Sequence, residues 1–353
     1  MMIFCTLFDT NYLDKGLVLY RSLSKTCSYF KIYILAMDEQ CEEILNSYRY
    51  NNLITIPLKK FIVDNDLEEV CKSRSHGQFC WTCTPYLIDY VISFFDEPIC
   101  TYIDSDLLFY DDPKCLIDEM NDKTVQIVEH RFNHSMAGRV NHAHSGTYCV
   151  EFNTFKHSDS AMELLRWWKE QCKESCSINE KNKRVFGDQY YLEDWGNRSN
   201  VSVLQNLGGG VAPWNVAQYA LVPEESNAKT TCLLDKKTKK KFKLVFYHFH
   251  NIMYYETNRV NIHIYREKPV DESLIQYLYI PYLKELDKAK NELKEKFGVY
   301  PLLKYHPGLV GENKKNIFQV LFSIDGLFFP KLYYQTIGRI QRKKDTQKNI
   351  IEF

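Results

Sequence analysis

The chain has 353 residues, 45% hydrophobic and 25% charged, which is enough to bury a sizeable core in one large domain with an appendage. Its 45 basic and 45 acidic side chains cancel, so the overall charge gives no reason to expect a nucleic acid partner. Twelve cysteines lie scattered through segments patterned as strands and helices, and Met1-Met2-Ile3-Phe4 runs into a strand without the charged start of a leader; both point to reduced thiols in a cytoplasmic protein.

In chain order, Phe4–Phe8, Lys31–Met37 and Leu53–Leu58 read as strands, with Gly16–Ser24 as a helix between the first two. Asp64-Asn65-Asp66, with Glu69 three residues beyond Asp66, reads as a helix cap with a capping box. Cys80-Trp81-Thr82-Cys83 has the spacing of a redox dithiol but no second pair, and Pro85 places it at the start of an amphipathic helix, Pro85–Phe95, where packing is the simpler role. Ile99–Ile103 is short and apolar on both faces, the pattern of a central parallel strand, so this first third is α/β and doubly wound. Thr124–Val128 and Gly146–Phe152 follow as strands. Ser160 and Glu163 then open a helix that carries Leu165, Trp168 and Cys172 on one face.

Tyr190–Trp195 reads as a further helix, Val201–Leu204 and Lys243–His248 as strands, and Lys236–Lys243 as a hairpin tip. Glu272–Phe297 is a long helical pattern interrupted at Pro281 and ended by Gly298. Composition shifts near Val270, dividing a catalytic domain, 1–270, from a helical extension, 271–353. Lys331, Arg339, Arg342, Lys343, Lys344 and Lys348 intersperse with Tyr333, Ile337 and Ile340, after Phe318, Phe322, Phe328 and Phe329. Such a basic amphipathic tail fits either a membrane-surface helix or a helix docked on its own domain. The apolar tract Val320–Tyr334 is broken by Asp325, Gly326 and Pro330, too early to span a bilayer.

Asp104 and Asp106 follow directly on Ile99–Ile103, at the strand end where open α/β sheets hold their ligands. Carboxylates there suit Mn2+ or Mg2+, and a metal held by one or two of them keeps positions free for phosphate oxygens. A nucleoside diphosphate compound is the natural substrate. Asp64 and Asp66 share the spacing but not the strand.

The segments Thr6–Leu19, Tyr102-Ile103-Asp104-Ser105-Asp106, Phe186-Gly187-Asp188-Gln189, Pro213-Trp214-Asn215 and Tyr247-His248-Phe249-His250 occur in an order that resembles GT-A-fold glycosyltransferases, the glycogenin-like and bacterial lipopolysaccharide-type sugar transferases among them. The resemblance implies a GT-A type, Rossmann-like, mostly parallel mixed sheet with helices on both faces. It implies metal-dependent transfer from a nucleoside diphosphate sugar, a UDP-sugar, to a glycan or lipid-linked acceptor, with retention of configuration. Thr6, Asp9, Tyr12 and Ser105 would bind the donor, Tyr12 stacking on uracil, and Asp104 would span the metal and the ribose or sugar hydroxyls. Asp106 and His248 would complete the site for Mn2+ or Mg2+, with His250 on the same strand face as the rival. Asp188 and Gln189 would lie by the donor sugar as catalytic residues, and Trp214 and Asn215 on the acceptor side.

The chain also departs from the pattern. The glycogenin-like motif continues from its histidine to a glycine and then to a lysine that grips the diphosphate; here Asn251 replaces the glycine and no lysine is nearby. Arg259 or the Lys236–Lys243 loop could substitute. Leu207–Asn215 is Gly-rich but lacks the Lys-Ser/Thr of a phosphate loop, and the resemblance makes it acceptor-side. An inverting reaction would need a carboxylate base, for which Glu151 and Asp194 are available. Two other classes compete: a non-catalytic glycan-binding or scaffold protein on a decayed transferase fold, opposed by the intact Asp104, Asp106 and His248, and a thiol oxidoreductase built on Cys80 and Cys83.

Overall fold

The computed structural model describes residues 1–178, 186–227, 230–256, 258–265, 270–301 and 349–353, so the basic aromatic tail lies outside the described residues. The first part comprises β1 (Met2–Phe8), α1 (Leu13–Thr26), β2 (Phe30–Ala36), α2 (Glu39–Ser47), β3 (Leu53–Pro57), α3 (Leu58–Asp64), α4 (Glu68–Ser73), α5 (His76–Ser93), β4 (Ile99–Ile103) and β5 (Leu107–Phe109). Next come α6 (Lys114–Asp118), β6 (Val125–Glu129), α7 (Met136–Ser145), β7 (Tyr148–Lys156), α8 (Asp159–Glu174) and β8 (Val201–Val203). The chain continues through β9 (Tyr219–Leu221), β10 (Cys232–Asp235), β11 (Lys241–Lys243), β12 (Phe246–His248), β13 (Met253–Glu256), β14 (Arg259–Asn261), α9 (Glu272–Leu274), α10 (Ile280–Phe297) and β15 (Ile350–Glu352).

A seven-stranded sheet, ordered β3-β2-β1-β4-β7-β6-β8, forms the centre. Its neighbours pair in parallel except at β7, which runs antiparallel to both β4 and β6. Strand alternation sends successive side chains into two layers. Ile3, Cys5 and Leu7 of β1 pack with α5 and α8, whereas Phe4 and Phe8 pack with α1 and α2. A third cluster joins Tyr247, Val260, Tyr279, Tyr282 and Leu286, and the Tyr247 and Tyr279 hydroxyls lie 2.7 Å apart. The segments on either side of residue 270 therefore share one core, and β15 adds to β14 across the same divide.

Several boundaries differ from the sequence expectation, each for a local reason. The helix expected from Pro85 begins at His76, because Ser75 and Gln78 form a reciprocal capping box; Pro85 and the cysteine pair lie within it. Asp66 caps no helix: it takes a left-handed turn at φ 52°, its carboxylate meets Lys173 Nζ at 3.2 Å, and α4 starts later without a side-chain cap. Ser158, not Ser160, caps α8 by accepting from the Ala161 N–H. The strand expected over Gly146–Phe152 runs from Tyr148 to Lys156. The Tyr190–Trp195 helix is instead a pair of 3-10 turns, Gln189–Leu192 and Trp195–Asn197. The strand expected over Lys243–His248 splits, since β11 pairs back on β10 while β12 crosses to β5. The hairpin at Lys236–Lys243 and the helix end at Gly298, φ 67°, are as expected. The break near Pro281 is a π-helical turn, Ile275–Tyr279, with the proline in the first turn of α10.

Candidate metal and donor cleft

The site forms where β4 ends. Beyond Ile103 the Asp104 N–H donates to the Glu151 carbonyl of β7 (3.1 Å), and the Phe249 N–H donates to the Asp106 carbonyl (3.0 Å). Antiparallel pairing of β12 with β5 sets His248 opposite Leu107, delivering the histidine to the carboxylates. The Gly-rich run is the bed under this strand. The Gly208 carbonyl accepts from the Val245 and Phe246 N–H groups at 2.8 and 3.2 Å, and the Val211 carbonyl accepts from the His248 N–H at 2.9 Å. A Cβ at Gly208 would collide with the Lys243 carbonyl, and Gly210 has φ +75°, which explains the glycines.

His248 Nε2 lies 3.0 Å from Asp106 Oδ1 and 3.6 Å from Asp104 Oδ2, while its Nδ1 meets Glu151 Oε2 at 2.7 Å. Glu151 is fully buried and outside the cleft wall; it holds the imidazole and aims the other nitrogen at the carboxylates. His250 joins the group, and ligand atoms of Asp106, His248 and His250 all fall within 4.8 Å of one another. The structure thus brings both rival histidines to Asp106. The edges of the two rings meet Trp214, with centroids at 5.3 and 5.7 Å.

Burial and repulsion from Asp106, Asp188 and Glu151 raise the Asp104 carboxyl against the pull of His248. For Asp106 burial acts in the same upward direction, but the charge and hydrogen bond of His248 outweigh it and hold this carboxyl well below the usual range. His248 mirrors this, raised above its ordinary value by Asp106 despite burial.

A cleft of 790 Å³ opens over this corner, lined by Asp9, Tyr12, Asp104, Ser105, Asp106, Asp188, Gln189, Trp214 and His248 among the expected residues. Thr6 and Asn215 are not in its wall. Thr6 points into the α1 side of the sheet and is fully buried. Asn215 is a structural staple: its amide nitrogen donates to the His130 and Gly210 carbonyls at 2.9 and 2.8 Å, and its oxygen accepts from the Ala212 N–H at 3.0 Å. Asp194 is exposed and lies outside the cleft wall, as do Arg259 and the Lys236–Lys243 hairpin.

In the wall of the same cleft, Asp9 Oδ2 meets His76 Nε2 at 3.2 Å. Burial raises the Asp9 carboxyl, but hydrogen bonds from His76 and Asn11 turn the balance and lower it. Asp188 precedes the first 3-10 turn without a side-chain cap bond, and burial raises its carboxyl to about 7. The Gln189 amide donates to the Ser145 carbonyl at 2.7 Å. Cys83 is buried and its thiol pushed far up, the opposite of an activated dithiol. Among the cleft residues that sequence reasoning missed are Lys15, His76 and Lys290. Lys15 stands inside the first motif and could have been noticed there; Lys290 carries no local signal at all.

No protein-family model matches the chain. Two proteins of Bacillus subtilis (strain 168) are similar to it: the uncharacterized protein YfnD, 24% identical over 297 residues, 83% of this chain and 91% of YfnD, and the uncharacterized protein YfnF, 27% identical over 302 residues, 83% of this chain and 95% of YfnF. Among solved structures, the galactosyltransferase LgtC, in complex with donor and acceptor sugar analogs, is similar at 14% identity and a TM-score of 0.46, over 82% of this chain and 96% of LgtC. Mouse xyloside xylosyltransferase 1 is similar at 12% identity and a TM-score of 0.43, over 70% of this chain and 97% of the mouse chain. By its strand order, its one reversed central strand and its carboxylate pair at the ligand end of the sheet, this chain has a GT-A glycosyltransferase-like fold.

Proposed function

We propose that the protein is a metal-dependent glycosyltransferase moving a sugar from a nucleoside diphosphate sugar, most simply a UDP-sugar, to a glycan or lipid-linked acceptor. The observation that carries this reading is the meeting of Asp104 and Asp106, in the turn between β4 and β5, with His248 at the end of β12, and Glu151 buried behind the histidine as its orienting carboxylate. A carboxylate and imidazole donor set of this kind fits Mn2+ or Mg2+, and Asp106 and His248, joined by Asp104 or His250, would hold the ion. Bound there, the metal would supply Lewis-acid stabilisation to the departing diphosphate.

The remaining roles belong to the chain's own groups. Tyr12 and Asp9 would receive the base and ribose, and Asp104 and Ser105 the ribose or sugar hydroxyls. Asp188 and Gln189 would face the donor sugar, the amide held in place by its bond to Ser145, and stabilise positive charge at the anomeric carbon. Transfer with departure and attack on one face, and so with retention, would need no carboxylate base beside the acceptor. Trp214 would pack against the acceptor. No helix among the described residues is long and apolar enough to cross a membrane; the basic aromatic tail would bring the enzyme to the cytoplasmic membrane face and a lipid-linked acceptor.

The test is a panel of nucleotide sugars with Mn2+, scored for release of the nucleoside diphosphate by wild-type protein and by Asp106→Ala. Release by the wild type alone supports the transferase reading. No release from any donor, with or without candidate acceptors, would leave a glycan-binding protein on a decayed fold.

A further inference from the structure

A diphosphate leaving beside two carboxylates needs cations, and the lysine of the glycogenin-like pattern is missing after His248. Among the described residues lining the cleft, Lys15 and Lys290 are the only lysines or arginines. Lys15 stands in the first turns of α1 with Nζ 3.5 Å from the centroid of the Tyr12 ring. Lys290 comes from α10, where the other buried residues, Tyr282, Leu283, Leu286, Ala289 and Leu293, are apolar apart from the tyrosine hydroxyl. Its ammonium is 3.4 Å from Asp14 Oδ2 and 3.4 Å from the centroid of the Tyr254 ring. Packing alone would favour an apolar residue at this position, because a buried ammonium costs free energy that one carboxylate offsets only in part.

We propose, building on the donor reading above, that Lys15 and Lys290 together grip the diphosphate of the nucleotide, supplied from α1 and α10 in place of the lysine absent after the histidine. The two helices pack directly against each other, so the grip is built into the core and does not depend on a loop closing. Burial works against the charge on Lys290 and Asp14 works for it, a balance that an arriving phosphate would tip toward the ammonium. α10 then belongs to the donor site.

Calorimetric titration of wild type, Lys15→Met, Lys290→Met and Lys290→Arg with UDP and with inorganic pyrophosphate, each with Mn2+, tests this, with Mn2+ alone and the melting temperature as controls. Each methionine variant should bind UDP and pyrophosphate roughly tenfold or more weakly, as expected for losing a charge-assisted hydrogen bond, with Mn2+ affinity unchanged. Lys290→Arg should recover part of the loss. If the wild type binds neither anion with Mn2+, the donor reading falls and this proposal with it. If the wild type binds both and the variants stay within about twofold, the lysine assignment alone falls. Should Lys290→Met fail to fold, Lys15→Met, at a half-buried position, and Lys290→Arg decide the matter on the same criteria.

Discussion

Asp64-Asn65-Asp66 and Asp104-Ser105-Asp106 have the same spacing and opposite fates. In the first, Asp64 ends α3, accepting from Lys60 and the Tyr90 hydroxyl at 2.8 and 2.6 Å, and Asp66 takes a left-handed turn toward Lys173. In the second, both carboxylates stand at the open end of a buried strand, and the cation nearest to hand is a histidine held from behind by another carboxylate. Spacing alone thus carries little chemistry; what matters is the element that precedes the triplet and the groups that its neighbours bring.

Asp106→Ala should abolish Mn2+ binding measurable by calorimetry while the protein keeps its circular dichroism spectrum. Retained Mn2+ affinity would erase the distinction between the triplets. Next in size, His248→Ala should weaken Mn2+ binding more than His250→Ala, because Glu151 orients His248 whereas His250 is exposed. The reverse order would transfer the ligand role to His250.

Glu151→Gln should cost about tenfold to 100-fold in Mn2+ affinity, the usual range for the carboxylate behind a metal-binding histidine. Unchanged affinity would mean that the buried contact serves packing alone.

A smaller effect concerns a carboxylate held by cations of the chain itself. Burial raises Glu292, but hydrogen bonds from Lys296, Arg21 and Tyr48 outweigh it and hold the carboxyl down to about 2. A depressed value stabilises the fold above the unfolded carboxylate range and is lost as pH falls toward 2. Arg21→Ala should therefore cost about 1 kcal/mol near neutrality, and denaturant titrations should show the gap from wild type closing below pH 4.5. Smallest of all, Asp66→Ala should leave Mn2+ binding and stability within about 0.5 kcal/mol of wild type, since its partner Lys173 is at the surface.

Much of this layout was legible in the sequence, and the reasons are specific. Ile99–Ile103 announced a buried strand because no polar residue interrupts its apolar faces apart from Thr101, and a carboxylate pair directly beyond it has few structural uses. Asp66 looks like a cap because Glu69 supplies capping-box spacing, whereas the turn that redirects the chain, at φ 52°, leaves no mark on composition. Glu151 and Asn215 looked like site residues, but their burial depends on the pairing of β7 and on the Gly-rich bed, contacts between segments far apart in the chain. Lys290 was invisible for the same reason: only the packing of α10 on α1 turns an ordinary helical lysine into a cleft residue.

If this cleft binds a nucleotide sugar through a metal held at Asp106 and His248, donor and metal must stabilise the fold together. Melting the purified protein with each of a set of nucleotide sugars, with Mn2+ and with EDTA, tests it most directly. At least one donor, at about 100 times its Kd, should add about 2.7 kcal/mol of stability with Mn2+, and this gain should disappear with EDTA and in Asp106→Ala. Stabilisation equal in EDTA, or retained by Asp106→Ala, would contradict binding through that metal.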